Sequence, residues 1–133
     1  MLQFVLSVKK IKNKGIVVLL PIMVWLAHSC LVARLGVVQN KGISFGIDLP
    51  MTEVFLVIFL AILAREIVKS FKWSIYLVFV GGMINFTDRL LVGFVRDYFK
   101  VLFFYNNLAD WVIFVGVILY FATLFDETNR YSL

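Results

Sequence analysis

Two aspartates lie where long apolar segments end or begin, an unusual place for a carboxylate. Asp88 closes one such segment, Asp110 opens the next, and residues 89–109 separate them. Ionisable side chains are costly in an apolar setting and usually face an interior or an aqueous cavity. Consecutive membrane spans run antiparallel, so both carboxylates should reach the same side of a membrane at similar depth. The spacing therefore predicts that the two aspartates meet.

An asparagine precedes each of these aspartates by three residues. Asn85 stands before Asp88, and Asn107 stands before Asp110. On a helix, residues i and i+3 share a face. Both asparagine side chains are therefore predicted to line the same cleft as the acids.

A close pair of carboxylates has a definite chemistry. Two like charges a few ångströms apart cannot both ionise cheaply, so one pKa rises and the pair shares a proton. The ionised member can take a proton from an attacking water, while the protonated member polarises a peptide carbonyl and helps the amine leave. The asparagines could hold the oxyanion. This chemistry needs no metal and no cofactor. Spacing alone leaves another interpretation open, because helix N-termini favour Asp for dipole reasons.

The segments that would position these residues are predicted to be membrane spans. The chain has 133 residues, of which 62% are hydrophobic and 16% charged, whereas an average soluble domain carries about 25% charge. A span takes about 20 apolar residues and must be helical to satisfy its own backbone. The predicted spans cover residues 15–33, 50–68, 73–88 and 108–125. The fold class is an all-α membrane protein with one domain, residues 1–133.

The lysines and arginines predict which side of the membrane each end faces. Eight of them lie at the two termini and between the second and third spans, against five in the other two connections. The richer side should be cytoplasmic, which places both termini inside and the aspartates near the outer face. This distribution also explains the net charge of +5 without nucleic-acid binding. The first span is longer than the ~7–15-residue core of a signal peptide, so we expect it to be permanent.

Two connections are predicted to lie outside. In residues 34–49, Val37-Val38 and residues 43–45 flank Asn40-Lys41-Gly42, a pattern that predicts a short β-hairpin or cradle. Residues 92–105 mix aromatic and charged side chains and are predicted to lie at the interface, where they could act as a lid.

Several short motifs resemble those of one family. Residues 81–89, Gly-Gly-Met-Ile-Asn-Phe-Thr-Asp-Arg, are similar to the GGxxxNxxDR signature of bacterial lipoprotein signal peptidase (signal peptidase II). Residues 107–110, Asn-Leu-Ala-Asp, match its NxAD motif, and residues 40–45 resemble its NxGxxF motif. Asp97 falls where the family has an Asp in a Val-Asp-Phe stretch. The motifs occur in the family's order, and the resemblance covers roughly residues 15–125.

This resemblance implies an aspartyl endopeptidase of the bacterial cytoplasmic membrane. Such enzymes cut the signal peptide from a prolipoprotein just before a cysteine that carries diacylglycerol. Asp88 and Asp110 would be the catalytic pair by motif matching. The implied substrate-binding residues are Asn40, Gly42, Asn85, Arg89 and Asn107. The expected partners are diacylglyceryl prolipoproteins and membrane lipids, and we expect a monomer.

The chain also departs from the family pattern. The family's Asp-Gln-x-x-Lys element of the first span is not matched, and Ala27-His28 occupies roughly its place. We interpret His28 as a polar contact between helices rather than a metal ligand. A catalytically inactive relative therefore stays open as an alternative. So do a small proton-coupled transport protein, which would place its acids nearer the bilayer midplane, and a non-catalytic assembly subunit.

Overall fold

The structure, a computed structural model, describes residues 14–42 and 51–131. Four helices make up most of these described residues. The helices are α1 (Lys14–Arg34), α2 (Thr52–Lys69), α3 (Trp73–Val92) and α4 (Leu108–Tyr131). Each corresponds to one of the predicted apolar segments, with boundaries that differ by a few residues.

The helices differ in how well they suit a bilayer. Within the described residues, α1, α3 and α4 are long and apolar enough to cross a membrane. Helix α2 has only 18 residues, and four of them are charged. Glu53 lies in its first turn, and the other three charges, Arg65, Glu66 and Lys69, lie in its last five residues. The intervening stretch is uncharged.

Helices α3 and α4 pack against each other more extensively than any other pair of described elements. Two glycines permit this approach. A Cβ atom on Gly81 would lie 2.5 Å from the carbonyl oxygen of Ala109, and one on Gly116 would lie 2.8 Å from that of Ser74. Small residues at such contacts let two backbones come close. The start of α4 is thereby fixed against the later turns of α3.

The described part of the chain contains four short strands, which form two antiparallel pairs. Strand β1 (Val38–Asn40) pairs with β2 (Val95–Asp97), and Val38 lies opposite Asp97. Strands β3 (Phe99–Val101) and β4 (Phe104–Asn106) form a hairpin. Its turn is strongly exposed: Leu102 is 80% and Phe103 89% accessible.

The prediction of a hairpin within residues 34–49 stays a prediction. Among the described residues, β1 pairs with β2 from the connection between α3 and α4. The predicted second arm, residues 43–45, lies outside the described residues. A contact between side chains favours the observed pairing, because Asn40 on β1 donates a hydrogen bond to Asp97 on β2. Residues 92–105, predicted to be interfacial, supply β2, β3 and the start of β4.

All four strands lie at one end of the bundle. Strand β1 follows α1 and precedes α2, while β2, β3 and β4 lie between α3 and α4. This is the end at which α3 finishes with Asp88 in its last turns and α4 starts near Asp110. The topology therefore gathers Asp88, Asp97 and Asp110 at the strand-bearing end.

Candidate active site

A cleft of about 770 Å³ opens between α2, α3 and α4 and is covered by the β3–β4 hairpin. Along the helices its walls are apolar, with Phe55, Phe59 and Val117 among the lining residues. At the strand-bearing end the lining becomes polar. The polar lining residues are Asn40, Thr52, Asn85, Arg89, Asn106 and Asp110. The cleft therefore suits an elongated apolar ligand that carries one polar group to be acted on.

Asp110 lies in the first turn of α4 and lines this polar end. Its Oδ1 accepts a hydrogen bond from Asn85 Nδ2 at 2.8 Å, and its Oδ2 accepts one from the backbone N–H of Asn107 at 3.1 Å. In return, the Asp110 backbone N–H donates to Asn107 Oδ1 at 3.1 Å. This reciprocal arrangement caps α4 and holds the carboxylate against α3.

Asp97 ends β2 and is almost completely buried, with 1% of its surface exposed. Asn107 Nδ2 donates to its Oδ1 at 2.8 Å, and Asn40 Nδ2 donates to its Oδ2 at 3.0 Å. Burial raises the pKa of the Asp97 carboxyl, and the negative charge of Asp110 nearby raises it further, while the two asparagine hydrogen bonds act in the opposite direction. Asn107 therefore links the two carboxyl groups, because its side chain donates to Asp97 and its backbone N–H donates to Asp110.

Asp88 has a different environment. It is fully buried, and its Oδ1 accepts hydrogen bonds from Arg96 Nε at 3.1 Å and Arg96 Nη2 at 2.5 Å. Its Oδ2 lies 3.1 Å from both the Arg96 backbone nitrogen and His28 Nε2. A carboxylate has about four lone-pair sites, and all four face a donor here. No contact among the described residues links Asp88 directly to Asp110.

Arg89 holds the connection after α1 in place. Its Nη1 and Nη2 donate to the carbonyl oxygens of Lys41 and Gly42, at 3.1 and 2.5 Å. The Gly42 backbone N–H donates to Asn40 Oδ1 at 3.1 Å, which turns the Asn40 amide nitrogen toward Asp97. Arg89 therefore positions Asn40. Two buried atoms, Arg89 Nε and Asn85 Oδ1, have no hydrogen-bond partner among the residues that the structure describes, and both residues line the cleft.

The family of this chain follows from its similarity to known proteins. Residues 4–126 match the family model described as signal peptidase (SPase) II. The chain belongs to the signal peptidase II family. It is therefore a protease, and the resemblance found in the motifs is confirmed. The transport and assembly alternatives are not favoured.

Individual relatives agree with this membership. The chain is 29% identical over 127 residues to a lipoprotein signal peptidase of Thermodesulfovibrio yellowstonii, covering 86% of this chain and 79% of the relative. It is 36% identical over 105 residues to one from Streptococcus pneumoniae, covering 68% of each chain. Two solved bacterial membrane enzymes have the same fold. Their TM-scores are 0.74 and 0.67, at 24% and 25% identity, covering 88% and 84% of this chain.

The signal peptidase II motifs converge around Asp97 and Asp110. The structure brings Asn40, Asn85, Arg89, Asn107 and Asp110 to the polar end of the cleft, and Gly42 is held by Arg89. Asp88, which the spacing argument paired with Asp110, lies instead with two residues that argument did not use, Arg96 and His28. Neither Arg96 nor His28 lines the cleft.

The structure draws attention to two residues of this chain, Asp97 and His28. Sequence reasoning noted Asp97 only as a motif position, nine residues after Asp88, and gave it no role. His28 was predicted to be a polar contact between helices, and its hydrogen-bond distance to Asp88 on α3 confirms that prediction. In the sequence, the family's Val-Asp-Phe stretch could have identified Asp97 as a site residue. His28 could have been identified because it occupies roughly the place of the family's Asp-Gln-x-x-Lys element, which this chain does not match.

Proposed function

We propose that this protein cleaves the signal peptide from prolipoproteins before a diacylglyceryl-modified cysteine, with Asp97 and Asp110 as its catalytic pair. The observation that carries the proposal is the link through Asn107, which donates to both the Asp97 and the Asp110 carboxyl groups, of which Asp110 lines the polar end of the cleft. The relatives named lipoprotein signal peptidase support the substrate class. The elongated apolar cleft supports it too, because a signal peptide is itself an apolar segment.

The proposal replaces Asp88 by Asp97 in the pair predicted from spacing. Asp88 has donors on all its lone-pair sites and a neutralising guanidinium beside it, so it has no room for a water or a carbonyl. Asp97 and Asp110 each accept only two of the hydrogen bonds described above. Each therefore keeps lone pairs for the reaction.

The two carboxyl groups would divide the work as acid and base. Asp110, at the cleft surface, is the ionised member and takes a proton from a water that attacks the scissile carbonyl carbon. Asp97, whose pKa is raised chiefly by burial, is the protonated member and gives its proton to the carbonyl oxygen. Collapse of the tetrahedral diol breaks the C–N bond. The departing amine takes the proton held by Asp110, and one diol hydroxyl returns a proton to Asp97.

The two unpartnered atoms on α3 are suited to hold the substrate backbone. Asn85 Oδ1 is an acceptor for a peptide N–H, and Arg89 Nε is a donor for a peptide C=O. They lie four residues apart, on one face of α3. An extended peptide segment beside Asp110 would satisfy both, and burial without a partner would otherwise cost ~1–3 kcal/mol for each group.

The placement in the membrane is part of the same proposal. We infer that α2 crosses the membrane in addition to α1, α3 and α4, because the charges of α2 lie at its two ends and its middle is uncharged. The termini face the cytoplasm by the distribution of lysines and arginines, and the strand-bearing end with the aspartates lies at the outer face. A substrate anchored in the bilayer by its lipid and its apolar signal peptide would then enter the cleft laterally. The enzyme would act as a monomer.

A direct assay tests the function. The purified protein in nanodiscs should cleave a diacylglyceryl-prolipoprotein just before the modified cysteine, as mass spectrometry of the products would show. The same precursor without its lipid is the matched control and should be cleaved much more slowly. Failure of a folded wild-type protein to cut the lipidated precursor would favour the inactive-relative alternative.

The pH dependence follows from the position of Asp97. The proposed mechanism needs Asp97 protonated, and its raised pKa keeps the proton to a higher pH than an ordinary aspartate would. Turnover should therefore fall as the pH rises through that raised value. Asn40→Ala removes a hydrogen bond that lowers the pKa, so the high-pH limb of kcat/KM should move to higher pH. A shift to lower pH, or none, would contradict the assignment of Asp97 as the acid.

A further inference from the structure

His28 is the only histidine in the sequence, and nothing in the proposed reaction uses it. It lies on α1 and is completely buried. Its Nε2 lies 3.1 Å from Asp88 Oδ2, and its Nδ1 lies 3.1 Å from the Tyr98 hydroxyl oxygen. Trp25 stacks on the ring, with centroids 5.9 Å apart. Both ring nitrogens are therefore engaged, Nε2 by Asp88 and Nδ1 by Tyr98, the residue that follows Asp97.

One assignment of donors and acceptors lets Tyr98, His28 and Asp88 all form their hydrogen bonds. The Leu108 backbone N–H donates to the Tyr98 hydroxyl oxygen at 2.9 Å, so the hydroxyl proton remains to be donated. Among the described contacts of Tyr98, the acceptor for it is His28 Nδ1. The ring proton then lies on Nε2 and is donated to Asp88.

The charges around the ring agree with a neutral imidazole. The charged or titratable groups facing it are Asp88 on α3, Arg96 on β2 and Tyr98 after β2. Arg96 already neutralises Asp88. Burial raises the pKa of the Tyr98 hydroxyl, so that group keeps its proton and remains a donor.

These hydrogen bonds reach residues adjacent in sequence to Asp97 and to Asn107. Tyr98 directly follows Asp97, and Leu108 directly follows Asn107, the residue that contacts both aspartates. A single hydroxyl thus holds the backbone at the start of α4 and, through His28, connects it to α1. The other nitrogen of the ring reaches Asp88, whose partner Arg96 directly precedes Asp97.

We propose that His28 is a positioning residue, a neutral ring protonated on Nε2 that clamps β2 and the start of α4 so that Asp97 and Asp110 stay joined through Asn107. His28 occupies roughly the place of the family's Asp-Gln-x-x-Lys element in the first span, which this chain does not match. The inference rests on the proposed function for its effect on cleavage. The state of the ring can be measured without any substrate.

The first test uses the single histidine as a spectroscopic probe. Protein labelled with 15N only in histidine gives one pair of ring-nitrogen signals. We expect an unprotonated Nδ1 shifted by an accepted hydrogen bond and a protonated Nε2 at neutral pH. Tyr98→Phe should shift the Nδ1 signal toward that of a free acceptor. An imidazolium, or a ring protonated on Nδ1, would overturn the clamp whether or not the protein cleaves prolipoproteins.

The second test separates positioning from folding. In His28→Phe, kcat should fall by about 10²-fold, the loss expected when reacting groups are displaced by about 1 Å, while KM stays near that of the wild type because His28 does not line the cleft. His28→Gln, which keeps one donor and one acceptor, should recover part of kcat. Leu26→Phe places the same ring on an exposed position of α1 and should leave kcat unchanged. A lower unfolding temperature with unchanged kcat for folded His28→Phe would refute positioning. A wild type that fails to cleave would refute the proposed function, while the ring spectrum would still decide the clamp.

Discussion

Replacing Asp97 by Asn should abolish prolipoprotein cleavage while leaving the protein folded, and Asp110→Asn should do the same. An amide at position 97 cannot give up a proton as a carboxylic acid does, and an amide at position 110 cannot take one from water. General acid–base catalysis contributes about 10²–10⁴-fold for each group, so we expect at least a ~10³-fold loss of kcat in either variant. The uncharged side chain should be tolerated at position 97, because burial there already favours the neutral form. The measurement is kcat on a diacylglyceryl-prolipoprotein in nanodiscs.

Asp126→Asn provides the matched control. It makes the same chemical change on α4, 16 residues and about 24 Å along the helix from Asp110 at 1.5 Å per residue. It should retain wild-type turnover. Thermal unfolding and insertion should be compared for all three variants. Near-wild-type kcat in folded Asp97→Asn would remove Asp97 from the pair.

Asp88→Asn should act mainly on stability. The Asp88 carboxylate accepts three hydrogen bonds from Arg96 and faces His28 in a fully buried position. Removing one partner of a buried ion pair costs ~3–5 kcal/mol because the other charge stays uncompensated. Arg96 is 21% exposed, so water should relieve part of this, and we expect about 3 kcal/mol less unfolding free energy. Folded molecules should keep kcat within about 10-fold of the wild type.

A double-mutant cycle with Arg96→Gln makes this test specific. If the ion pair is structural, Asp88→Asn combined with Arg96→Gln should be much less destabilised than the sum of the two single variants. Reversible unfolding in mixed micelles gives the free energies. A fully stable Asp88→Asn protein with no turnover would instead support the Asp88–Asp110 pair predicted from spacing.

The helices could be predicted from the sequence because their cause is local. A bilayer demands about 20 apolar residues per crossing, and four largely apolar segments approaching that length are visible in the chain. The predicted end of the third span, residue 88, fell four residues short of Val92, where α3 ends. The charged residues predict the end of the helix, whereas Asp88 and Arg89 are buried and form hydrogen bonds with residues outside α3.

Within the candidate site, the sequence could predict only contacts between residues that are close together in the chain. Asn107 contacts Asp110 as their spacing of three residues suggests. The hydrogen bonds from Asn40 to Asp97 and between His28 and Asp88 join residues 57 and 60 positions apart, and no helical period reveals them. Spacing pairs Asp88 with Asp110 because Asp88 lies at the end of a predicted span. The contacts between the Asp88 carboxylate and Arg96, eight residues later, depend on the fold and do not follow from that spacing.

The pairing of β1 with β2 has a consequence for how the enzyme is made. Strand β1 leaves the ribosome early, β2 much later, and Asp110 enters only with the last helix. Synthesis proceeds from the N-terminus, so Asn40 is in the membrane well before either proposed catalytic residue exists. A nascent chain that has not yet inserted α4 has no second carboxylate and no Asn107 to join the pair. With Asp97 and Asp110 as the proposed catalytic pair, we expect no proteolytic activity from a nascent chain until α4 has inserted.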